Sequence, residues 1–176
     1  MRISDIAKCN TSTYSLKENW SEICYLDTGN LTMNRISCLQ IINTACDIIP
    51  SRARRKVKDS SILFSTVRPD QLHFGIISKP QNNLLVSTGF AVIDVNTTVV
   101  NPYYVYIFLT QAGIIAKLQN IAENSTSAYP SITPNDIMEL EIDPPSINEQ
   151  SRIANIFQSI DRKISINATI NDNLAA

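Results

Sequence analysis

The chain has 176 residues, a formal net charge of −1, 44% hydrophobic residues and 18% charged residues. This composition is typical of a globular protein and excludes a disordered chain. No apolar run approaches the roughly 18 residues needed to span a bilayer, and the N-terminus lacks the apolar core of a signal peptide. The sequence therefore predicts a cytoplasmic protein without membrane association.

The first half of the chain predicts short strands separated by turn residues. The predicted strands are rich in β-branched and aromatic residues and cover Glu22–Leu26, Arg35–Ile42, Ile62–Val67, Leu72–Ser78 and Gly89–Val95. Because little helix separates them, they predict a curved, partly barrel-like sheet.

Helical signals begin near residue 101. Asn101 is a suitable N-cap and Pro102 a suitable first helical residue, and apolar residues then recur at helical spacing to about Glu123. A short helical turn is expected at Thr133–Pro134, and a final strand at Met138–Ile142. The sequence thus predicts an α+β fold, in which a sheet-containing globular domain with a few helices precedes a long protruding C-terminal helix.

This last helix is predicted to begin after a double proline. Ser146 and Glu149 have the spacing of a capping box, and no Gly or Pro follows up to Ala176. Along the helix, residues at the a/d spacing of a coiled coil predict a pairing seam of Ile153, Phe157, Ile160, Ile164, Asn167 and Leu174. Two interpretations stay open: the helix folds back over the sheet, or it pairs with a helix of another copy or subunit.

A basic block is the most informative feature of the sequence. Between Ser51 and Asp59 the chain carries five basic residues and one acid, and an apolar run starting at Ile62 follows. We interpret the block as a basic loop that feeds a strand and meets an anion such as nucleic acid, although a solvated surface loop has the same composition. The candidate DNA-binding residues are Arg52, Arg54, Arg55, Lys56, Lys58, Arg68, His73, Lys79, Ser125, Thr126 and Tyr129.

The sequence predicts no catalytic, metal or cofactor site. Four glycines cannot build a phosphate-binding glycine loop, and His73 is the single histidine. The four cysteines have no zinc-like spacing and are expected to be reduced and mostly buried.

Four segments together resemble one half of a specificity subunit of type I restriction–modification systems. They are YLDTGNLTMNRI (25–36), PSRARRKVKD…ILFSTVRP (50–69), LLVSTGFAVI (84–93) and AYPSITPNDIMELEIDPPSINEQSRIANIFQSIDRKI (128–164). The S-T-G-F sequence, placed on a strand, the Y-P-S-I loop and the E-Q junction follow one another in the order typical of that family.

The resemblance implies a non-catalytic chain in which residues 1–145 form a target-recognition domain and residues 146–176 a spacer and dimerisation helix. It implies binding to one half of a split site in double-stranded DNA, and docking to a methyltransferase (modification) subunit and a motor–nuclease (restriction) subunit. The second half of the site would be read by a homodimer partner or a second half-subunit. Whether the chain is a natural half-subunit or a fragment stays open. An alternative is an orphan half-subunit that binds modification or specificity subunits without DNA selectivity of its own.

Overall fold

The computed structural model describes residues 1–125 and 129–174. The strands in these residues are β1 (Ala7–Cys9), β2 (Glu22–Leu26), β3 (Leu31–Thr32), β4 (Arg35–Ile36), β5 (Gln40–Asn43), β6 (Ala53–Lys56), β7 (Ile62–Ser65), β8 (Phe74–Ile76), β9 (Leu84–Ser87) and β10 (Phe90–Val95). The helices are α1 (Ile3–Ile6), α2 (Pro102–Leu109), α3 (Ala112–Glu123), α4 (Pro134–Met138) and α5 (Ile147–Leu174).

Two four-stranded sheets form the body of the protein. The first has the strand order β1-β10-β7-β8 and the second the order β5-β2-β9-β6, while β3 and β4 form a small separate hairpin. The neighbours β2 and β9 run parallel, and the other pairs in the two sheets are antiparallel. The α+β fold with a long C-terminal helix is confirmed, and the predicted barrel-like sheet takes the form of two sheets that do not close into a barrel.

The core lies on both faces of the first sheet. Along β10, Phe90 and Val92 belong to a cluster between the two sheets, whereas Ala91 and Ile93 belong to a larger cluster beneath the helices. Since strand side chains alternate between faces, a strand buried on both sides has the continuous apolar sequence seen here. A third cluster, which includes Trp20, covers the outer face of the second sheet.

The prediction of one helix from Asn101 to Glu123 is right at its start and wrong in its middle. The Asn101 side chain accepts hydrogen bonds from the Tyr103 and Tyr104 amides at 2.9 and 3.2 Å, as expected for an N-cap. The helix stops at Thr110, whose hydroxyl donates back to the Tyr106 carbonyl at 2.9 Å. The next residue is extended, so α3 begins as a separate helix.

Two predicted strands are also corrected. The segment Arg35–Ile42 is divided because β4 pairs with β3 around Met33 and Asn34, whereas β5 pairs with β2. Both turn residues have positive φ, as a two-residue hairpin of this kind requires. The segment Met138–Ile142 forms no strand beyond a single bridge from Glu141 to Arg2.

Helix α5 begins with part of the predicted capping box. The Glu149 amide donates to the Ser146 hydroxyl at 3.4 Å, while the Glu149 carboxylate pairs with Arg152 at 2.9 Å.

None of the described helices is long and apolar enough to cross a membrane. The expectation of mostly buried cysteines is wrong for Cys38 and Cys46, which are exposed.

Candidate nucleic-acid interface

One end of the two sheets gathers loops from distant parts of the chain. Strands β2, β7 and β9 end there, and β6, β8 and β10 begin there, as the strand registers require. Two of the predicted DNA-binding arginines, Arg52 and Arg68, are exposed at this end. We call it the arginine end, and it consists of Thr28, Arg52, Thr66, Arg68, Gly89 and Tyr129.

Gly89 lets Arg52 lie close to the turn between β9 and β10. A Cβ atom added at Gly89 would overlap the Arg52 guanidinium and lie 2.9 Å from Cγ2 of Thr28. The S-T-G-F sequence is therefore a turn flanked by two strands, and its glycine leaves room for this close approach. The Thr88 amide also donates to the Arg52 carbonyl at 2.9 Å, which fixes the backbone of Arg52.

An ordered carboxylate lies near Arg52. Burial raises the pKa of Asp27, but hydrogen bonds from Tyr25, the Thr28 amide and Ser87, together with the charge of Arg52, outweigh burial and leave that pKa below its usual value. The Tyr25 hydroxyl donates to the Asp27 carboxylate at 2.9 Å. Asp27 is thus held as an anion near Arg52, and the charge of Arg52 makes the smallest of these contributions to its pKa.

Arg68 is held by the loop that precedes α4. Its guanidinium carbon lies 5.7 Å from the centre of the Tyr129 ring, and its amide donates to the Pro130 carbonyl at 2.9 Å. The Thr66 amide and hydroxyl both donate to the Gly89 carbonyl, at 2.9 and 3.0 Å. The loops that carry Arg52 and Arg68 are therefore tied to the same turn.

Other predicted DNA-binding residues lie at the opposite end of the sheets. We call this the lysine end, and it consists of Lys58, Asp59 and Lys79. The Lys58 ammonium is 3.7 Å from the Asp94 carboxylate, and the Lys79 amide donates to Asp59 at 2.7 Å. The structure therefore separates Lys58 and Lys79 from the two exposed arginines.

The basic block itself is not a loop, which corrects the prediction. Residues 53–56 form β6, which pairs with β9, and Arg54, Arg55 and Lys56 are only half-exposed. Lys56 forms an ion pair with Glu18, and its ammonium lies 5.1 Å from the centre of the Trp20 ring. The Arg54 carbonyl accepts a hydrogen bond from the Tyr14 amide at 2.7 Å.

Arg55 is directed between the two sheets. It opposes Val86 of β9, a member of the inter-sheet core, and its charge acts on Cys9. Burial raises the pKa of the Cys9 thiol to about 11, partly offset by Arg55, so this thiol stays protonated near neutral pH. Within the described residues, the buried Nε atom of Arg55 has no hydrogen-bond partner.

The remaining predicted DNA-binding residues differ in their surroundings. Nδ1 of His73 lies 2.7 Å from the Leu31 carbonyl oxygen, so its ring joins β3 to the start of β8. Ser125 follows α3, and its buried hydroxyl has no hydrogen-bond partner in the part of the chain that the structure describes. Thr126 lies outside the described residues.

The first half of α5 is docked on the body. Gln150 accepts a hydrogen bond from the Asn101 amide at 2.9 Å and donates to the Pro145 carbonyl at 2.8 Å. Farther along the helix, the Tyr103 hydroxyl donates to the Asp161 carboxylate. The sequence marks Gln150 only as part of the E-Q motif, and gives no signal that Tyr103 and Asp161 meet.

The predicted pairing seam leaves the body progressively along α5. Ile153 is half-buried, and the other five seam residues, Phe157, Ile160, Ile164, Asn167 and Leu174, are exposed. A groove of about 1220 Å³ separates this part of α5 from the body and is lined by Phe157, Ile164, Tyr106 and Met33 among others. The interpretation that the helix folds back over the sheet is therefore incorrect for its second half.

Comparisons with known proteins agree with this architecture. Residues 1–176 match the family described as type I restriction modification DNA specificity domain. The specificity subunit of the HindI type I restriction enzyme of Haemophilus influenzae is 27% identical over 155 residues, which cover 88% of this chain and 33% of that subunit. The chain thus spans about a third of that relative.

Two solved structures have the same fold. The crystal structure of the HsdS subunit from Thermoanaerobacter tengcongensis matches with a TM-score of 0.77 at 21% identity, over 97% of this chain and 43% of that one. A structure concerned with complex assembly and conformational transition of the type I R-M system matches with a TM-score of 0.74 at 20% identity, over 95% and 43% of the two chains.

Proposed function

The chain belongs to the family of type I restriction–modification DNA specificity domains, and we propose on this basis that it reads one half of a split DNA target. The family supports the prediction of a non-catalytic chain, because its named relative is a specificity subunit. In this proposal residues 1–145 recognise DNA in the cytoplasm. Residues 146–176 join the domain to a second recognition unit and dock the methyltransferase and motor–nuclease subunits.

The observation that carries the proposal for this chain is the pair of exposed arginines at the arginine end. Arginine forks bind two acceptors at once, and in the major groove they match O6 and N7 of guanine. Arg52 lies over Gly89 and Arg68 over the ring of Tyr129, so neither fork has to be ordered from a fully mobile state on binding. We assign base reading to these two arginines.

The basic residues elsewhere have other roles in this proposal. Lys56 is held by Glu18 and Trp20, and Arg55 is directed between the two sheets, so neither is assigned to DNA. Lys58 and Lys79 belong to the lysine end, on the same side as the groove beside α5, which Asp59 helps to line. We therefore assign the lysine end to the side that faces the paired helices.

Selection from a random duplex library tests DNA recognition. The chain, alone or with a methyltransferase subunit, should enrich a split motif. Arg52→Ala and Arg68→Ala should each relax one base pair of it and lower affinity roughly 5- to 150-fold, the range for losing one bidentate base contact. Lys79→Ala removes a positive charge from the lysine end and is the matched control, with an expected change of about twofold or less.

Two results would contradict the assignment. If the wild-type chain enriches no motif in either form while binding its partner subunit tightly, the chain is the orphan interaction module instead. If Lys79→Ala weakens selective binding as much as Arg52→Ala does, the arginine end is not the surface that reads bases.

We further propose that the exposed seam of α5 pairs with a helix of a second recognition unit. An aspartate introduced at Ile160 would place an unpaired charge in that contact, which is strongly unfavourable. By sedimentation, the wild type should be a dimer and Ile160→Asp a monomer, whereas Ser159→Asp, with the same charge one position off the seam, should stay dimeric. A monomeric wild type at high concentration would exclude self-pairing.

A further inference from the structure

Helix α5 is attached to the body along one face of its first half. Gln150 and Asp161 are 11 residues apart, which is close to three full helical turns, so both side chains lie on the same face. Ala154 lies between them and is 1% exposed, and its small side chain allows α5 to pack closely against the body. The contact face is therefore a short line that begins in the first turn of the helix.

Gln150 fixes the first point on this line. Gln150 is 2% exposed, and both ends of its side-chain amide are hydrogen-bonded. The oxygen accepts from the backbone amide of Asn101, and the nitrogen donates to the Pro145 carbonyl. Asn101 also caps α2 through its own side chain. The first turns of α2 and α5 are thus joined through one buried amide, and a hydrogen-bonded group of this kind is costly to disturb.

Tyr103 and Asp161 fix the second point. Tyr103 is buried and packs against Tyr106 with ring centres 5.3 Å apart, so its hydroxyl has little freedom to move. Burial, and then the hydrogen bond to Asp161, raise the pKa of Tyr103 well above its usual value, so it stays a neutral donor near neutral pH. Two points of attachment three turns apart define the direction of a rod, whereas one point would leave it free to swing.

Beyond Asp161 the helix projects from this attachment. Residues 162–171 are mostly exposed, and Leu174 at the end of the helix is 80% exposed. From residue 162 to Leu174 the helix extends roughly 20 Å, at about 1.5 Å per residue. A tilt of about 10° at the attachment would displace the tip by roughly 3.5 Å, close to the ~3.4 Å rise of one base pair.

We infer that Gln150 and the Tyr103–Asp161 hydrogen bond form a rigid joint that sets the number of base pairs between the two halves of the DNA target. The inference rests on the proposed function, since it requires two recognition units joined through their helices. Tyr103, Gln150 and Asp161 are positioning residues in this arrangement, because they act on the placement of the arginine end and touch no base.

A set of duplexes that differ only in spacing tests the joint. The two enriched half-sites are placed at the selected spacing and at one and two base pairs more or fewer, and binding of the chain assembled with a methyltransferase subunit is measured. The wild type should prefer one spacing by roughly tenfold or more, and Tyr103→Phe should reduce that preference to about threefold or less, from the loss of one charge-assisted hydrogen bond. The bases selected within each half-site should stay the same.

Two further variants complete the test. Tyr104→Phe removes a hydroxyl from the neighbouring position of α2 and should leave the spacing preference unchanged. Asp161→Asn weakens the same bond without altering the body, and should relax spacing in the same direction as Tyr103→Phe.

Each outcome decides between the two proposals. Strict spacing in both Tyr103→Phe and Asp161→Asn would overturn the joint and leave DNA reading intact. Loss of half-site selectivity together with spacing in these variants would show a general loss of the fold, which also overturns the joint. Failure of the wild type to select any split motif would overturn the proposed function, and the joint with it.

Discussion

Strand β6 and the arginine end adjoin in sequence, yet their basic side chains have different surroundings. Lys56 at the end of β6 pairs with Glu18 beside Trp20, and Arg55 is directed between the sheets. Arg52 precedes the strand by one residue and is exposed over Gly89. Arg52 lies in the turn before β6 and so at the end of the sheet. Within β6 side chains alternate between the two faces, which directs Arg55 between the sheets and Lys56 to the outer face.

The difference shows that charge density along a sequence does not define a charged surface. Five basic residues between Ser51 and Asp59 predict one binding surface, but three of them lie in β6 and Lys58 lies at the lysine end. Arg68, which comes after the block, is the residue that shares the arginine end with Arg52. The comparison predicts that substitutions at the two places have separable effects on DNA selectivity and on the fold.

The largest separable effect is expected from Gly89→Ala. The new Cβ atom would overlap the Arg52 guanidinium, a flexible group that can move away, so we expect DNA affinity to fall roughly tenfold or more. The free energy of unfolding should fall by about 1 kcal/mol or less, because the new Cβ atom crowds only side-chain atoms, the Arg52 guanidinium and Cγ2 of Thr28, and no backbone atom. Library selection and urea denaturation measure the two quantities.

A double-mutant cycle makes this prediction sharper. If Gly89→Ala acts through Arg52, the double variant with Arg52→Ala should bind no more weakly than Arg52→Ala alone. Gly113→Ala is the matched control, since a Cβ atom there meets nothing within 4 Å. It should leave binding unchanged and stabilise α3 by about 0.5–1 kcal/mol. If the losses of DNA affinity in the two single variants add in the double variant, Gly89→Ala does not act through Arg52.

The sequence predicts elements well where local signals dominate. Strand β2 has the predicted bounds Glu22–Leu26, and α2 starts at Pro102 after the Asn101 cap. Strand β6 is missed because its charged residues have low strand propensity, and its pairing with β9 is a long-range contact. Local signals therefore suffice to predict β2 and the start of α2, whereas β6 forms in the basic block because it pairs with the distant strand β9.

The same distinction applies to the candidate site. The sequence predicts Arg52 and Arg68 as DNA-binding candidates, and both are exposed, but it cannot separate them from Lys56, whose partner Glu18 is 38 residues away in the chain. It likewise finds the E-Q motif without its partner, because the contact between Gln150 and Asn101 spans 49 residues. The sequence therefore cannot assign a role to a residue whose role depends on a contact partner that is distant in the chain.

The smallest expected effect on DNA binding comes from Lys56→Met. The hydrogen bond from Lys56 holds the pKa of Glu18 below its ordinary value, so in the wild type the pair persists as pH falls and is lost only below that value. Trp20 is the single tryptophan, so its emission should follow this loss in the wild type and stay flat in Lys56→Met. Affinity for the selected duplex should change by about twofold or less.

Lys58→Met is the control: it removes the same charge from a side chain that pairs with Asp94, and should keep the acid transition of Trp20. A loss of base selectivity in Lys56→Met comparable to that of Arg52→Ala would place β6 at the DNA and break the distinction between the two regions.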